Sequence, residues 1–312
     1  MTQPHTLMTR RPTLLVVGCG DIGLRVLRLL RGRWRLLALT SSPARCAELR
    51  AADAVPLLGN LDDVASLARI GALADRVLHL APPASQGRQD LRTAHLLQAL
   101  ARGGRVQRLV YASTTGVYGD AQGAQFDETR PVAPASDRAL RRVDAETRLR
   151  AFGLQTGAAV TVLRIPGIYA LDRPGGHPRE RLLRGTPVLR PEDDVYTNHI
   201  HADDLARACV AALWRGGRQR VVNVCDDTDL RMGDYFDLAA DLCGLPRPPR
   251  LSRAEAAAVL SPMQLSFMGE SRRLLNRRLK AELHLRLHHP TVAEGLLAGP
   301  PASGPLRSPA SA

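Results

Sequence analysis

Gly18-Cys19-Gly20-Asp21-Ile22-Gly23 has the spacing G-x-G-x-x-G. It directly follows the apolar run Thr13-Leu14-Leu15-Val16-Val17 and opens a stretch with Leu24, Val26, Leu27, Leu29 and Leu30 at helical spacing. Between a strand and a helix, this pattern predicts a turn that cradles the pyrophosphate of a dinucleotide; a plain glycine turn is the competing reading. Gly18 permits the tight turn, Gly20 lets the backbone approach the phosphates, and Gly23 lets the helix pack close to the strand. The helix N-terminus adds free amides and a partial positive charge, so Gly18, Gly20, Asp21, Ile22 and Gly23 are the expected contacts. A thiol at such a position can have a lowered pKa, so Cys19 reads either as a redox-sensitive group or as a small residue tolerated in the turn.

The second strand is expected over Arg35–Thr40 and runs into Thr40-Ser41-Ser42-Pro43-Ala44-Arg45. A carboxylate there would accept from the ribose 2′-OH of NAD, and none is present. The hydroxyls of Thr40 and Ser41 with Arg45 suit a 2′-phosphate, so NADP is preferred over NAD. His199 and His201 share one face of a strand and precede Asp203-Asp204. No third ligand stands at metal-binding spacing, so no metal is expected, and Asp203 reads as the N-cap of a helix over Asp204–Trp214. His288-His289 reads as surface. Ser113 and Thr114 lack a surrounding G-x-S-x-G, which argues against hydrolase chemistry. Arg179, Arg181, Arg184 and Arg190 could clamp a phosphate or simply face solvent.

Positioning these residues requires a particular frame. Further strands are expected at Ala54–Leu58, Arg76–Leu80, Val106–Ala112, Ala159–Ile165 and Arg220–Val224. Helices are expected at Ala44–Ala52, Val64–Ile70, Leu91–Arg102, Asp137–Phe152, Asp234–Cys243 and Arg253–Leu260. Near-continuous apolar strands alternating with helices predict an α/β, Rossmann-type doubly wound parallel sheet with a smaller C-terminal α/β lobe. The expected layout is a flexible N-terminus over 1–11 and a dinucleotide-binding domain over 12–165 and 196–227. A substrate lobe follows over 166–195 and 228–298, then a disordered tail over 299–312.

The 312 residues can bury a full core. Net charge is +13, yet Lys280 is the single lysine. Such a uniform arginine bias reads as a solvated surface rather than a nucleic-acid footprint, and 4% aromatics leave few stacking platforms. No apolar run reaches the ~18 residues of a membrane span. The N-terminus lacks the apolar core of a signal peptide. Five scattered cysteines without C-x-x-C fit a reduced, cytoplasmic setting.

Several segments together resemble the extended short-chain dehydrogenase/reductases, the NAD-dependent epimerase/dehydratase group. Beside the glycine turn, Gly59-Asn60-Leu61-Asp62 resembles the adenine-contacting turn. His79-Leu80-Ala81-Pro82 resembles the segment beside the cofactor, and Tyr111-Ala112-Ser113-Thr114-Thr115-Gly116-Val117-Tyr118-Gly119 resembles the Ser/Thr strand end with V-Y-G. Leu163-Arg164-Ile165-Pro166-Gly167-Ile168-Tyr169 resembles the run into the lobe, and His199-Ile200-His201-Ala202-Asp203-Asp204-Leu205 resembles the H-x-x-D element. The resemblance covers roughly residues 13–295 and implies further cofactor contacts at Asn60, Leu61, Ala81, Pro82, Arg142 and Pro166.

It also implies acid/base work by Tyr-x-x-x-Lys with a Ser/Thr hydroxyl beside hydride transfer. Thr114 stands at the Ser/Thr place. The pair itself is missing: Asn276 lies four residues before Lys280. Aligning the following helix on Glu146 puts Arg138 and Arg142 at the tyrosine and lysine places. Arginine cannot shuttle a proton at neutral pH, so Tyr118, or less directly Tyr169, is the candidate replacement acid beside Thr114. The resemblance thus narrows to atypical members. Three functions compete: an oxidoreductase or isomerase acting on a sugar nucleotide or other phosphorylated small molecule, a non-catalytic NADP-binding sensor or scaffold, and a nucleic-acid-associated protein. A homodimer through Leu91–Arg102 and Asp137–Phe152 is a further expectation of the resemblance.

Overall fold

The computed structural model describes residues 11–297. The tail expected over 299–312, and the N-terminal stretch but for Arg11, lie outside the described residues. The chain runs β1 (Thr13–Val17), α1 (Asp21–Leu30), β2 (Arg35–Thr40), α2 (Cys46–Ala51), β3 (Val55–Leu58), β4 (Arg76–His79), α3 (Leu91–Gly103), β5 (Arg108–Thr114), β6 (Gln125–Phe126), α4 (Asp137–Thr156) and β7 (Ala159–Ile165). It continues through β8 (Gly167–Tyr169), α5 (Arg179–Leu183), β9 (Val188–Leu189), β10 (Tyr196–Thr197), β11 (His199–His201), α6 (Ala202–Arg215) and β12 (Arg220–Asn223). Last come β13 (Leu230–Arg231), α7 (Met232–Cys243), β14 (Arg250–Leu251), α8 (Arg253–Val259), α9 (Pro262–Phe267), β15 (Arg273–Leu274), α10 (Arg277–Ala281) and α11 (Val292–Leu297).

Seven of these strands form one parallel sheet in the order β3-β2-β1-β4-β5-β7-β12. The order reverses between β1 and β4, which opens a crevice at their carboxyl ends. Alternation along β1 feeds two cores: Leu14 and Val16 pack with α1 and α6 residues such as Leu27, Leu205 and Cys209. Leu15 and Val17 pack with α3 and α4 residues such as Leu96, Leu100 and Leu149. This is a Rossmann-type α/β fold. A third core, with Tyr169, Leu189, Tyr235, Phe236 and Met268, belongs to the smaller C-terminal lobe.

Some expectations are corrected. The stretch Val64–Ile70 forms only a 3-10 turn at Ala65–Leu67. The Ser66 hydroxyl donates to Asp63 O at 2.7 Å and accepts from Asn60 N–H at 2.8 Å, local bonds that compete with a helix. Helix α6 starts at Ala202, so Asp203 lies in its first turn rather than at its N-cap. His201 is its N-cap, with Nδ1 accepting from Asp203 N–H, because Asp203 and Asp204 turn their carboxylates to other partners. The Asp204 carboxylate is fully buried and accepts from the backbone N–H groups of His288 and His289, which ties that segment to α6, while the His288 side chain is exposed, as expected, and that of His289 half-buried.

Register places Ser113 of β5 beside Arg164 of β7. Both bind the buried Glu146 of α4: the Ser113 hydroxyl donates at 2.7 Å, and Arg164 donates through Nη2 at 2.7 Å and Nε at 3.2 Å. This network fixes α4 against the carboxyl end of the sheet. Removing one buried partner leaves the other charge uncompensated. Glu146→Leu alone should therefore cost about 3–5 kcal/mol in urea unfolding. Adding Arg164→Met should restore most of the loss, and a double variant no better than the single one would contradict this account.

Candidate functional site

The glycine turn lies at the β1/β4 crevice. Gly18 has φ +82°, and a Cβ there would fall 2.4 Å from Ala81 N. The close approach is held because the N–H groups of Leu80 and Ala81 both donate to Val17 O, at 2.8 and 3.0 Å. At Gly23 a Cβ would meet Cys19 Sγ at 2.9 Å. Gly20 differs: its φ is −84°, and nothing lies within 4 Å of the Cβ position. It is the N-cap of α1 and supplies no capping side chain, so the helix end opens onto free space of the kind a pyrophosphate would fill. Burial pushes the Cys19 thiol up to about 11, against the lowering effect of nearby Arg45, so it stays a thiol, contrary to the redox-sensitive reading.

Sequence reasoning missed the ionic cluster beside this turn. Arg25 on α1 is 3% exposed. Its Nε reaches Asp21 at 3.0 Å, Nη1 reaches Asp203 at 2.5 Å, and Nη2 reaches Asp172 at 2.5 Å. Arg173 places Nη1 on the other oxygen of Asp21 at 2.6 Å. Burial works against the Arg25 charge, but its bonds to Asp172 and Asp203 more than offset it and raise its pKa. The available signal was the i,i+4 spacing of Asp21 and Arg25, with Arg25 set among Leu24, Val26 and Leu27.

At the carboxyl end of β2, Thr40 Oγ1 accepts from Ser42 N–H at 3.2 Å and Ser41 is exposed. Arg45 donates twice to Glu48, at 3.0 and 2.8 Å. Asn60 Oδ1 accepts from Asp62 N–H, and Leu61 O bonds His95 Nδ1 at 2.7 Å. Pro82 is exposed at the crevice rim, and Pro166 is half-buried between β7 and β8.

At the carboxyl end of β5, Thr114 is half-buried and its Oγ1 accepts from Gly116 N–H at 3.3 Å. Its hydroxyl hydrogen can still donate to a ligand. Tyr118 is not brought there. It is fully buried, stacked edge-on against Phe126, and its hydroxyl donates to Asn223 Oδ1 at 2.8 Å. The replacement-acid reading of Tyr118 is corrected: it is an anchor inside the fold. Tyr169 is likewise buried, with its hydroxyl donated to Thr291 O at 3.3 Å.

Arg142 donates Nη1 to Tyr111 Oη and Ala112 O, each at 2.8 Å. Arg138 is exposed and lies over the ring of Phe267 in α9, 4.9 Å away. Beneath Arg142, His79 is buried and pushed down to about 3 by burial and the Arg142 charge. Thr93 gives its proton to Asp90, so neutral His79 donates from Nε2 to Thr93 at 2.9 Å.

The sequence profile of the NAD dependent epimerase/dehydratase family matches residues 14–225. The chain belongs to that family. It is 26% identical over 241 residues to protein YeeZ of Escherichia coli K12, covering 75% of this chain and 84% of that one. A functionally unknown conserved protein from Silicibacter pomeroyi superposes with a TM-score of 0.76 at 33% identity, covering 91% and 96% of the two chains. A dTDP-glucose 4,6-dehydratase from Streptomyces venezuelae, solved with NAD bound, superposes with a TM-score of 0.73 at 23% identity over 91% and 94%. That last likeness is one of fold.

In this family member the H-x-x-D segment also gathers His201, Asp203 and His289, with ligand-type atoms within 4.8 Å of one another. The third group that sequence spacing did not supply is thus present in space. The set does not suit a metal, because His201 Nδ1 caps α6 and Asp203 Oδ1 holds Arg25. Among the described residues, no helix is long and apolar enough to cross a membrane.

Behind Tyr169 the lobe meets the sheet through Asp226, which is 3% exposed. One carboxylate oxygen accepts from Thr228 N–H at 3.0 Å, and its backbone N–H donates to His199 O. Burial, with Asp227 adding to it, pushes this carboxyl up to about 7. An unfolded aspartate titrates near ~3.9, so the native state binds the proton more tightly. Asp226 therefore favours folding most at low pH, and this contribution fades as pH rises through about 7. Asp226→Asn should melt above the parent at pH 8, with the gap closing toward pH 4. An equal gap at both pH values would contradict the assignment.

Proposed function

We propose that the protein binds NADP, or less tightly NAD, and acts as an atypical oxidoreductase or isomerase. Its substrate would be a sugar nucleotide or another phosphorylated small molecule. The carrying observation is the turn in which Gly18 and Gly23 are sterically required while Gly20 faces open space. The amides of Asp21, Ile22 and Gly23 would hold the pyrophosphate. Asn60 and Leu61 would flank the adenine, and Ala81, Pro82 and Pro166 would line the nicotinamide end. Arg142 would keep the electrostatic part of the lysine's role toward the ribose. Thr40, Ser41 and Arg45 would take the 2′-phosphate, with Arg45 turning from Glu48 to do so. The bound nicotinamide would supply hydride exchange, and the Thr114 hydroxyl would orient the reacting oxygen of the substrate.

The tyrosine and lysine places hold Arg138, seated on Phe267, and Arg142, seated on Tyr111. That arrangement favours a second reading, a sensor that binds NADP without turnover. A nicotinamide-absorbance screen over nucleotide sugars and sugar phosphates separates the two. A homodimer through α3 and α4 also follows from the family, and sedimentation would report it.

The first test is calorimetric titration with NADPH, NADP, NADH and NAD. Micromolar binding is expected, tighter for the 2′-phosphorylated pair. Gly20→Asp should fold with an unchanged melting temperature, since its Cβ meets nothing, and should lose the nucleotide. Arg45→Ala should weaken NADPH by about tenfold and leave NADH unchanged. No binding by any of the four would refute the reading.

A further inference from the structure

We infer that Arg173, carried by the loop between β8 and α5, is a ligand for the dinucleotide pyrophosphate, so that the lobe side of the molecule helps close the cofactor site. The inference rests on the dinucleotide reading above.

Asp21 is the first residue of α1, next to Gly20 at the open end of the helix. Its carboxylate suits the helix dipole but would repel an incoming diphosphate. Two arginines face it, and they differ. Arg25 is 3% exposed and has Nε, Nη1 and Nη2 all engaged by carboxylates, so it cannot turn to a ligand. Arg173 is 27% exposed and holds Asp21 through Nη1. Its position is not accidental, because the preceding residue, Asp172, is fastened to Arg25 at 2.5 Å. The loop therefore delivers a guanidinium beside the Gly20 opening, on a carboxylate that a diphosphate would have to displace or share. An arginine fork matches phosphate oxygens in charge and geometry. No family motif in the sequence marks this residue.

The test measures Kd for NADPH, inorganic pyrophosphate and adenosine on the full-length chain. Arg173→Ala should weaken NADPH and pyrophosphate by about tenfold and flatten their salt dependence, with adenosine unchanged. Arg173→Lys should fall between. Asp21→Asn, which releases Arg173, should bind NADPH as tightly as the parent or more tightly. Should Arg173→Ala fail to fold, Arg173→Gln replaces it. Pyrophosphate affinity within twofold of the parent overturns the inference while the cofactor reading stands. Equal weakening by Arg173→Ala and Asp21→Asn also overturns it, because the ion pair would then act only as a tether. A parent that binds no dinucleotide overturns both.

Discussion

A guanidinium taken almost wholly out of water must find its compensation inside the protein. Arg25 finds it in three carboxylates, Asp21 of α1, Asp172 of the loop after β8, and Asp203 of α6. These come from three segments far apart in the chain: the first residue of α1, the loop after β8 and the first turn of α6. Apolar packing seats α1 on the sheet and against α6, and Arg25 ties its first turn to the loop after β8 and to α6. A shift of that loop or of α6 would leave a buried charge unmatched, so the three segments hold a common position.

The other end of the crevice has been rebuilt around arginine. In the family resemblance, α4 offers a phenol and an ammonium to the reacting centre. Here its two corresponding side chains are guanidinia, one over the Phe267 ring and one bonded to Tyr111 and Ala112. Neither can give up a proton near neutral pH. The helix is nonetheless anchored where the resemblance expects it, by Glu146 to Ser113 and Arg164. The scaffold that would present an acid is kept, and the groups it carries are held by an aromatic ring, a phenol and a backbone carbonyl.

Much of this was legible in the sequence. Strands buried on both faces read as apolar runs, so β1, β2, β4, β5, β7 and β12 stood out with the turn after β1. Apart from β11, read from the alternation of His199 and His201, the short strands β8, β9 and β14 and their pairings were not legible, because two or three residues carry no period. The steric roles of Gly18 and Gly23 could be argued from spacing, since both concern near neighbours. The Arg25 cluster could not, because its partners lie 147 and 178 residues further along the chain. Tyr118 was misread for a related reason: a motif names a residue, but only packing decides that its hydroxyl meets Asn223 in the interior.

The clasp between Asp204 and the His288-His289 backbone bears on how the chain is made. The carboxylate is fully buried in the finished fold, and its amide partners lie 84 and 85 residues downstream. During synthesis α6 emerges well before they do. Arg207, one turn further along α6, also donates to this carboxylate and is made together with it. The segment that carries His288 and His289 can therefore dock on α6 only after most of the described chain has been made.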